Sequence, residues 1–403
     1  MLNKVRLLTP GPTPLPERVR LALAADMIHH RTPAFAALLD DIQIGLKHLF
    51  GTEQPVLPLS CSGTGAMTAA VHGLFSPGDK VIVVEAGKFG QRWSGIARTR
   101  GLVAEAVQVP WGQAVDVAAV EERLAAHPDA RGVLVQLSET STGALQPIEA
   151  LGRLMRGRDA LLVVDGISAV GISPCPMDEW GVDCLLTGSQ KGLMLPPGLA
   201  LLALSERGWR RAEATAPSCF YFNLPGERKN LAKGQGLFTS PVNLIVGLRE
   251  SLRLFFEDAD GVMRYEEGLR RIYRKQWALT CMTRAGVKAL GLSLFAPTDY
   301  AWGLTSVLLP EGVDGERLIR AAKEDCGVIF AGGQDHLKGR LVRFAHMGWV
   351  DWGDVAAGLA ALAHGLRAAG GYTSARDYVE TALAAYRQAL DVDPGRVIPD
   401  VRS

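Results

Sequence analysis

Short apolar runs alternate with helical patterns between residues 56 and 205. The runs have the length and β-branched content of buried strands, and the segments between them carry apolar residues at helical spacing. Asp116 precedes one such segment and is predicted to cap its first turn. The predicted strands are VLPLS (56–60), VIVVE (81–85), VLVQL (133–137), LLVVD (161–165), CLLT (184–187) and LALLAL (199–204).

This alternation predicts an α/β fold. Strands that are apolar over their whole length are typical of a largely parallel sheet covered by helices on both faces. Ligands of such sheets bind outside the carboxyl ends of the strands. We therefore expect the functional residues in the loops that follow the predicted strands.

The pattern changes after about residue 260. Residues 261–286 predict a long helix in which charges of both signs alternate, which is typical of a solvated helix face. Short strand and helix patterns continue to residue 370, so a smaller α+β domain is predicted over 261–370.

Four segments are expected from these patterns: an N-terminal arm (1–20), a large domain (21–260), a small domain (261–370) and a helical tail (371–403). The tail follows two glycines and predicts an amphipathic helix that needs a surface to cover. Its apolar face is formed by Val379, Leu383, Tyr386 and Leu390.

Composition narrows the classes of function. The chain has 403 residues, and its 43 basic and 42 acidic residues leave a formal net charge of +1, which predicts no binding to nucleic acid or to an anionic membrane. No apolar run reaches the roughly 18 residues of a membrane span, and the first residues lack the features of a signal peptide. The six cysteines are scattered without a C-x-x-C pair, so we expect a cytoplasmic protein without a disulfide framework or a metal site.

Asp165 and Lys191 follow consecutive predicted strands, whose ends open at the same edge of a parallel sheet. A buried Asp165 needs a partner, which is either a helix N-terminus, a structural ion pair or a cationic ligand atom. Lys191, in TGSQKGLML, is either a solvated charge or an amine that forms a Schiff base with a carbonyl cofactor. Pyridoxal phosphate needs such a lysine together with an acid partner for its ring nitrogen.

SCSGTGAM (60–67) joins a predicted strand to a helix and has the composition of an anion-binding turn. Gly63, Thr64 and Gly65 can offer backbone N–H groups and a hydroxyl to a phosphate at the helix N-terminus. A nucleotide-binding turn is the alternative, because Glu85 ends the next strand 20 residues after Gly65. That alternative lacks its third glycine and leaves the lysine–aspartate pair unexplained.

Two further stretches carry candidate residues. LSETSTG (137–143) closes a strand with hydroxyl residues around Glu139, and is either an ordinary polar loop or part of the same site. Arg343 lies within an apolar strand of the small domain and therefore needs an anion. A bidentate carboxylate matches its guanidinium best, and a structural ion pair is the alternative.

Taken together and in order, SGTGAM, SETSTG, VDGIS, GSQK and PPG resemble the motifs of class V, fold type I pyridoxal-phosphate aminotransferases. The similarity is greatest to the alanine–glyoxylate and serine–pyruvate (serine–glyoxylate) group. The stretches LLTPGPTPLP and MIHHRTPAF also resemble the N-terminal segment of that group. The resemblance covers residues 5–367. It implies a mostly parallel sheet sandwiched by helices, a smaller α+β C-terminal domain, and pyridoxal phosphate as the cofactor for transamination of alanine or serine with glyoxylate or pyruvate.

The resemblance also implies roles for individual residues. Lys191 forms the Schiff base and moves the substrate proton, and Asp165 pairs with the pyridine nitrogen. Ile167 and Phe89 lie where the family packs the two ring faces, although Phe89 lacks the indole N–H of the tryptophan that is common there. The remaining implied cofactor contacts are Ser62, Gly63, Thr64, Gly65, Ala66, Thr140, Gln190 and Thr239, and the implied substrate contacts are Arg343 and Gly11.

The family further implies a homodimer with shared active sites. Its relatives contribute a tyrosine to the partner's phosphate site, three residues before a Thr-x-Pro; here that position is Gly236, whereas Thr239 is retained. A segment that approaches the neighbouring site in such dimers contains His29, His30 and Arg31, for which an interface role and a substrate contact both stay open.

Two alternatives to transamination remain. One is another class V reaction on the same cofactor, such as cysteine desulfuration or a lyase step, although Cys326 is predicted at a helix-to-strand junction rather than on a catalytic loop. The other is a non-catalytic relative that acts as a subunit. The complete set of Lys191, Asp165 and Arg343 argues against that second alternative.

Overall fold

The computed structural model describes residues 3–371 and 377–392. The strands in these ranges are β1 (Arg6–Leu7), β2 (Val56–Leu59), β3 (Lys80–Glu85), β4 (Val103–Gln108), β5 (Gly132–Gln136), β6 (Ser138–Glu139), β7 (Ala144–Leu145), β8 (Leu161–Asp165), β9 (Cys184–Gly188), β10 (Ala200–Leu204), β11 (Ser293–Leu294), β12 (Leu304–Leu308), β13 (Val328–Ile329), β14 (Ala331–Gly332) and β15 (Leu341–Ala345).

The helices in the same ranges are α1 (Glu17–Leu23), α2 (Pro33–Phe50), α3 (Gly63–Leu74), α4 (Lys88–Arg100), α5 (Val117–Ala126), α6 (Ile148–Met155), α7 (Met177–Trp180), α8 (Glu206–Ala214), α9 (Leu224–Leu231), α10 (Val242–Phe256), α11 (Tyr265–Ala289), α12 (Gly315–Cys326), α13 (Trp352–Ala368) and α14 (Tyr378–Leu390). A single 3₁₀ turn spans Asp335–Leu337. No helix in the described part of the chain is both long and apolar enough to cross a bilayer.

The central sheet has seven strands in the order β2-β10-β9-β8-β5-β3-β4. Every neighbouring pair is parallel except those of β10, which runs antiparallel to β2 and β9. The predicted α/β class with a mostly parallel sheet is therefore confirmed. The reversal at β10 lets a short connection leave β9 and return to the same edge of the sheet.

Both faces of this sheet are buried. Val83, Leu134 and Val163 pack on the side of α3, whereas Val84 and Val135 belong to the cluster on the opposite side, which also contains residues of α2, α5 and α10. Burying each such side chain stabilises the fold by about 1.5–3 kcal/mol. This two-sided burial explains why the strands are apolar throughout rather than alternating in polarity.

The predicted element positions agree closely with the structure. Strand β8 has the predicted bounds, and the Asp116 side chain caps α5 by accepting a hydrogen bond from the Ala118 N–H at 3.0 Å. Strand β4 was not predicted. It is an edge strand, so Glu105 and Gln108 interrupt its apolar sequence and only Val107 is buried.

A second, four-stranded antiparallel sheet has the order β11-β12-β15-β14 and carries Arg343 on β15. Helix α14 packs against α11 and α13 of the same chain through buried Ala382 and Ala389. The predicted amphipathic helix is thus confirmed over the part of the tail that is described. Residues 372–376 and 393–403 of the predicted tail lie outside the described residues.

The long helix α11 departs from one expectation. Its alternating charges predict a solvated face, but Arg284 is 9% exposed and donates to the Ala296 carbonyl at 3.0 Å. Lys275 lies half-buried against the 346–350 segment and donates to the Gly348 carbonyl at 3.0 Å. The prediction is wrong at these two positions because α11 is covered by the four-stranded sheet and its connections.

The N-terminal residues join the two sheets. Strand β1 pairs in parallel with β13, and the Thr13 N–H then donates to the Gln190 carbonyl at 3.2 Å. The chain between them crosses directly beside Lys191.

Candidate active site

The carboxyl ends of β2, β5, β8 and β9 converge at one edge of the central sheet. Asp165 is the last residue of β8, and Lys191 lies three residues after β9. The N-terminus of α3 follows β2, and Glu139 follows β5. The sheet topology thus brings together the residues that the sequence places after separate strands.

Lys191 is enclosed by the N-terminal arm. Its Nζ donates a hydrogen bond to the Pro10 carbonyl, and Gly11 lies so close that a Cβ there would come within 2.7 Å of Nζ. Gly11 also has φ +123°, a conformation that favours glycine. Burial lowers the pKa of Lys191 to about 8, although the nearby Asp165 opposes this shift. A neutral amine, which is the nucleophilic form, is therefore accessible close to neutral pH.

Asp165 is 5% exposed. Burial raises its pKa to about 7, and the negative charge of Glu139 adds to this, whereas a hydrogen bond of 2.8 Å from the Ile167 N–H to Oδ1 opposes it. Lys191 also lowers the pKa of Asp165 by its charge. A carboxyl group with these neighbours can hold a proton on a ligand nitrogen near neutral pH.

The turn before α3 forms an anion cradle. Ser62 precedes the first helical residue, Gly63, and the first N–H groups of a helix have no partner within it. The Arg92 guanidinium donates to the Thr64 hydroxyl at 3.0 Å and brings a positive charge to the same place. A side chain at Gly65 would clash with Cys61 at 2.6 Å, so close backbone approach requires glycine there.

Gln190 offers a second indication of a ligand. Its Oε1 is buried, and no described residue hydrogen-bonds to it. Buried polar atoms nearly always have a partner. The unpaired Oε1 of Gln190, an acceptor beside the anion cradle, therefore indicates that a bound group supplies its donor.

Phe89 and Ile167 lie near the same edge. Phe89 is in the first turn of α4, where its N–H donates to Glu139 Oε2 at 3.1 Å and its ring lies 4.7 Å from the Arg92 guanidinium carbon. Ile167 follows Asp165 and packs on Gly63, where an added Cβ would come within 2.5 Å of its Cδ1.

The Glu139 loop links the two sheets. Glu139 is fully buried and accepts hydrogen bonds from the Ser141 hydroxyl at 2.5 Å and the Gly90 N–H at 3.0 Å, while burial raises its pKa. Arg343 reaches this loop from β15, donating through Nη1 to the Thr140 carbonyl at 3.2 Å. Its Nε donates to Gly332 O at 2.8 Å, and burial lowers its pKa. A cation thus faces the strand ends from the four-stranded sheet.

Other predicted residues lie elsewhere. Thr239 is exposed and makes no hydrogen bond within the described chain, and Arg31 donates to the Gln235 amide oxygen at 2.7 Å. These segments lie beside an exposed aromatic group formed by Phe220, Tyr221 and Phe238.

The nucleotide-binding alternative does not fit the structure. The Glu85 carboxylate is buried and receives hydrogen bonds from the Ser94 hydroxyl and from Gln108 Nε2, the latter at 2.7 Å. It cannot also face a ribose. Across the described residues, no group of three or more His, Cys, Asp or Glu side chains could hold a metal ion.

Sequence reasoning missed two contributors and could have found one of them. Arg92 follows Phe89 by three positions on α4, so helical spacing alone places it on the same face. The Pro10 carbonyl carries no such signal, because its approach to Lys191 depends on the pairing of β1 with β13.

Comparison with known proteins adds a family to this geometry. The family model described as aminotransferase class-V matches residues 17–284. A protein of Synechococcus sp. named the small subunit of soluble hydrogenase is 38% identical over 90% of this chain and 93% of its own length. The serine–glyoxylate aminotransferase of Methylorubrum extorquens is 33% identical over 85% of this chain and 86% of its own.

Solved structures are similar over nearly the whole chain. The ureidoglycine–glyoxylate aminotransferase of Bacillus subtilis has a TM-score of 0.89 at 26% identity, and the match covers 96% of this chain and 99% of that one. The likeness therefore includes both sheets and the edge at which Lys191 and Asp165 meet.

Proposed function

The chain belongs to the aminotransferase class-V family, and from this premise we propose that it transfers the amino group of alanine or serine to glyoxylate or pyruvate. It is a pyridoxal-phosphate-dependent aminotransferase. The observation that carries the assignment is the buried pair of Lys191 and Asp165 at adjoining strand ends, faced by Arg343. Glyoxylate appears in the names of both aminotransferases described above, which supports it as the acceptor.

The residues present fit the cofactor. The N–H groups at the α3 N-terminus, the Thr64 hydroxyl and the Gln190 Nε2 group can donate to its phosphate, and Asp165 suits its ring nitrogen. Phe89 and Ile167 are the apolar groups that we assign to the two faces of its ring. We assign Ser62, Gly63, Gly65 and Ala66 to the same cradle, and Thr140 to the edge of the ring. When bound, pyridoxal phosphate draws electrons out of the bonds at the substrate Cα.

The chain's own residues supply binding and proton transfer. Lys191 Nζ would hold the cofactor covalently between turnovers, would accept the proton from the substrate Cα and deliver it to the cofactor, and would carry a proton the opposite way in the second half-reaction. Asp165 would hold the ring nitrogen in its protonated form. Arg343 binds the substrate carboxylate and fixes the direction of the Cα–H bond, while Gly11 leaves space beside Nζ.

The proposal includes a homodimer in the cytoplasm. The exposed aromatic group beside Thr239, and the neighbouring His29, His30 and Arg31, are the surface that we assign to the partner. Gly236 contributes no hydroxyl there. The six cysteines are free thiols, as expected in a reducing compartment.

A half-reaction screen tests this function. Each amino acid is added separately to the purified holoenzyme, and the visible absorbance of the cofactor is followed as its amino group is transferred. Alanine or serine should cause the fastest change, and glyoxylate or pyruvate should reverse it. If no amino acid changes the spectrum, transamination is wrong; release of alanine and formation of persulfide from cysteine would instead indicate desulfuration.

A further inference from the structure

A cavity of about 870 Å³ lies behind the active site, between the N-terminal arm, the residues that follow Lys191, and helices α11 and α13. Lys191, Asp165 and Arg343 are not among the residues that line it. Its volume is within the roughly 300–1,000 Å³ of small-molecule sites. The proposed transamination gives this space no role.

Lys275 lies in the wall of this cavity with its ammonium group incompletely paired. Nζ donates to the Gly348 carbonyl at 3.0 Å, and the described residues give it no salt bridge. An ammonium group has three N–H donors, so two remain. Burial lowers the pKa of Lys275 to about 8, although the negative charges of Asp351 and Asp354 oppose this shift.

Two carboxylates, Asp351 and Asp354, also line the cavity, and four cationic side chains outnumber them there: Lys4, Arg6, Arg20 and Lys275. Asp354 pairs with Arg6 Nε at 3.2 Å, and the Asp351 side chain caps α13 by accepting from the Asp354 N–H at 2.9 Å. Lys4 and Arg20, both exposed, add further positive charge at the rim. The charged groups of the wall therefore favour an anion.

The rest of the wall is apolar. Leu8, Leu195 and Val350 are buried there, with Leu15 half-buried and Trp349 48% exposed. A ligand that fits both properties has one negative charge and an apolar body.

We propose that this cavity binds a monocarboxylate with an apolar body, with the carboxylate on Lys275 Nζ and the body against Leu8, Leu195 and Trp349. This monocarboxylate is distinct from the amino and oxo acid substrates that we assign to Arg343. The site adjoins the catalytic lysine through the backbone, because the Thr13 hydroxyl donates to the Lys191 carbonyl at 3.0 Å and Gly348 lies against the same atom.

Titration of the holoenzyme with hexanoate tests this site. We expect saturable binding by calorimetry and a change in tryptophan fluorescence, with hexanol and hexylamine binding at least tenfold more weakly. The Trp349→Phe variant should lose the fluorescence change but keep the calorimetric signal. Equal binding of hexanol and hexanoate would overturn the proposal, because the charge would then have no role.

Variants separate this site from the catalytic one. Lys275→Met should weaken hexanoate binding at least tenfold, whereas Lys338→Met, a change at a lysine that is 75% exposed, should leave it unchanged. Arg343→Met should also retain the binding, which excludes occupation of the substrate site. Undiminished binding in Lys275→Met would refute the proposal. The cofactor half-reaction, measured on the same preparations, reports on transamination independently.

Discussion

Lys191 and Lys275 are two lysines with similar proton affinity and different surroundings. Burial lowers the pKa of each to about 8, and each donates a hydrogen bond to a backbone carbonyl. Lys191, however, lies at the carboxyl ends of parallel strands beside Asp165, whereas Lys275 projects from a helix into a cavity with both apolar and charged walls.

The difference shows that a lowered pKa does not identify a catalytic lysine. Either amine is accessible in its neutral form near pH 8. Of the two, only Lys191 is surrounded by a helix N-terminus with Arg92, a buried carboxyl group and Arg343, to which we assign the cofactor phosphate, the ring nitrogen and the substrate carboxylate. The surrounding side chains, rather than the pKa, therefore distinguish a catalytic lysine. Variants of the two lysines test this difference directly.

The largest expected difference comes from removing each amine. Lys191→Ala should lower kcat by about 10³-fold or more, because the covalent attachment and the proton transfer are lost together. Lys275→Ala should stay within about threefold of the parent, since its loss removes no reacting group. Steady-state transamination with borohydride trapping checks both; comparable losses in the two variants would contradict the comparison.

Replacing the neighbouring carboxylates should separate the two regions further. Asp165→Asn should lower kcat by about 100-fold, because an amide cannot hold the ring nitrogen protonated. Asp351→Asn beside Lys275 should leave kcat unchanged, since asparagine also caps helices well. Single-turnover absorbance measurements distinguish this effect from weaker cofactor binding. A normal rate in Asp165→Asn would remove Asp165 from the mechanism.

Weakening the contact between Arg343 and the substrate carboxylate is expected to have a smaller kinetic effect than replacing the Asp165 carboxyl group. Arg343→Lys should raise KM for the amino acid about 30-fold, or about 2 kcal/mol, since lysine keeps the charge but loses the guanidinium fork. The control, Arg340→Lys, changes an exposed arginine directly before β15 and should leave KM unaltered. Initial-rate kinetics over a range of amino acid concentrations provides the measurement. An unchanged KM in Arg343→Lys would place the substrate carboxylate elsewhere.

Measured over a single pH unit, the pH dependence should give the smallest effect. The reactive form of Lys191 is neutral, so cofactor attachment to the apoenzyme should speed up about tenfold per unit below pH 8 and level off above it. With an unperturbed lysine, the rate of attachment would keep rising up to about pH 10.4. Lys275→Met should not move the midpoint. Stopped-flow absorbance measures the rate, and a midpoint above pH 10 would refute the lowered pKa.

Much of this arrangement is readable from the sequence, for a physical reason. The strands that are buried on both faces have continuous apolar runs, so β8 and the ends that carry Asp165 and Lys191 were predictable. The edge strand β4 is solvated along most of its length and has no such run. Lys275 was misassigned to a solvated face because its covering segment, 346–350, is distant in the sequence and only tertiary packing brings it there.

The antiparallel strand β10 has a mechanical consequence for catalysis. The connection that carries Lys191 is fixed to the sheet at both ends, because Gly188 before it pairs with Ala200 after it. Displacing either end of this connection would require β9 and β10 to separate within the interior of the sheet. Amide hydrogen exchange at the two ends should therefore depend on global unfolding, so the connection that carries the amine stays anchored for as long as the large sheet persists.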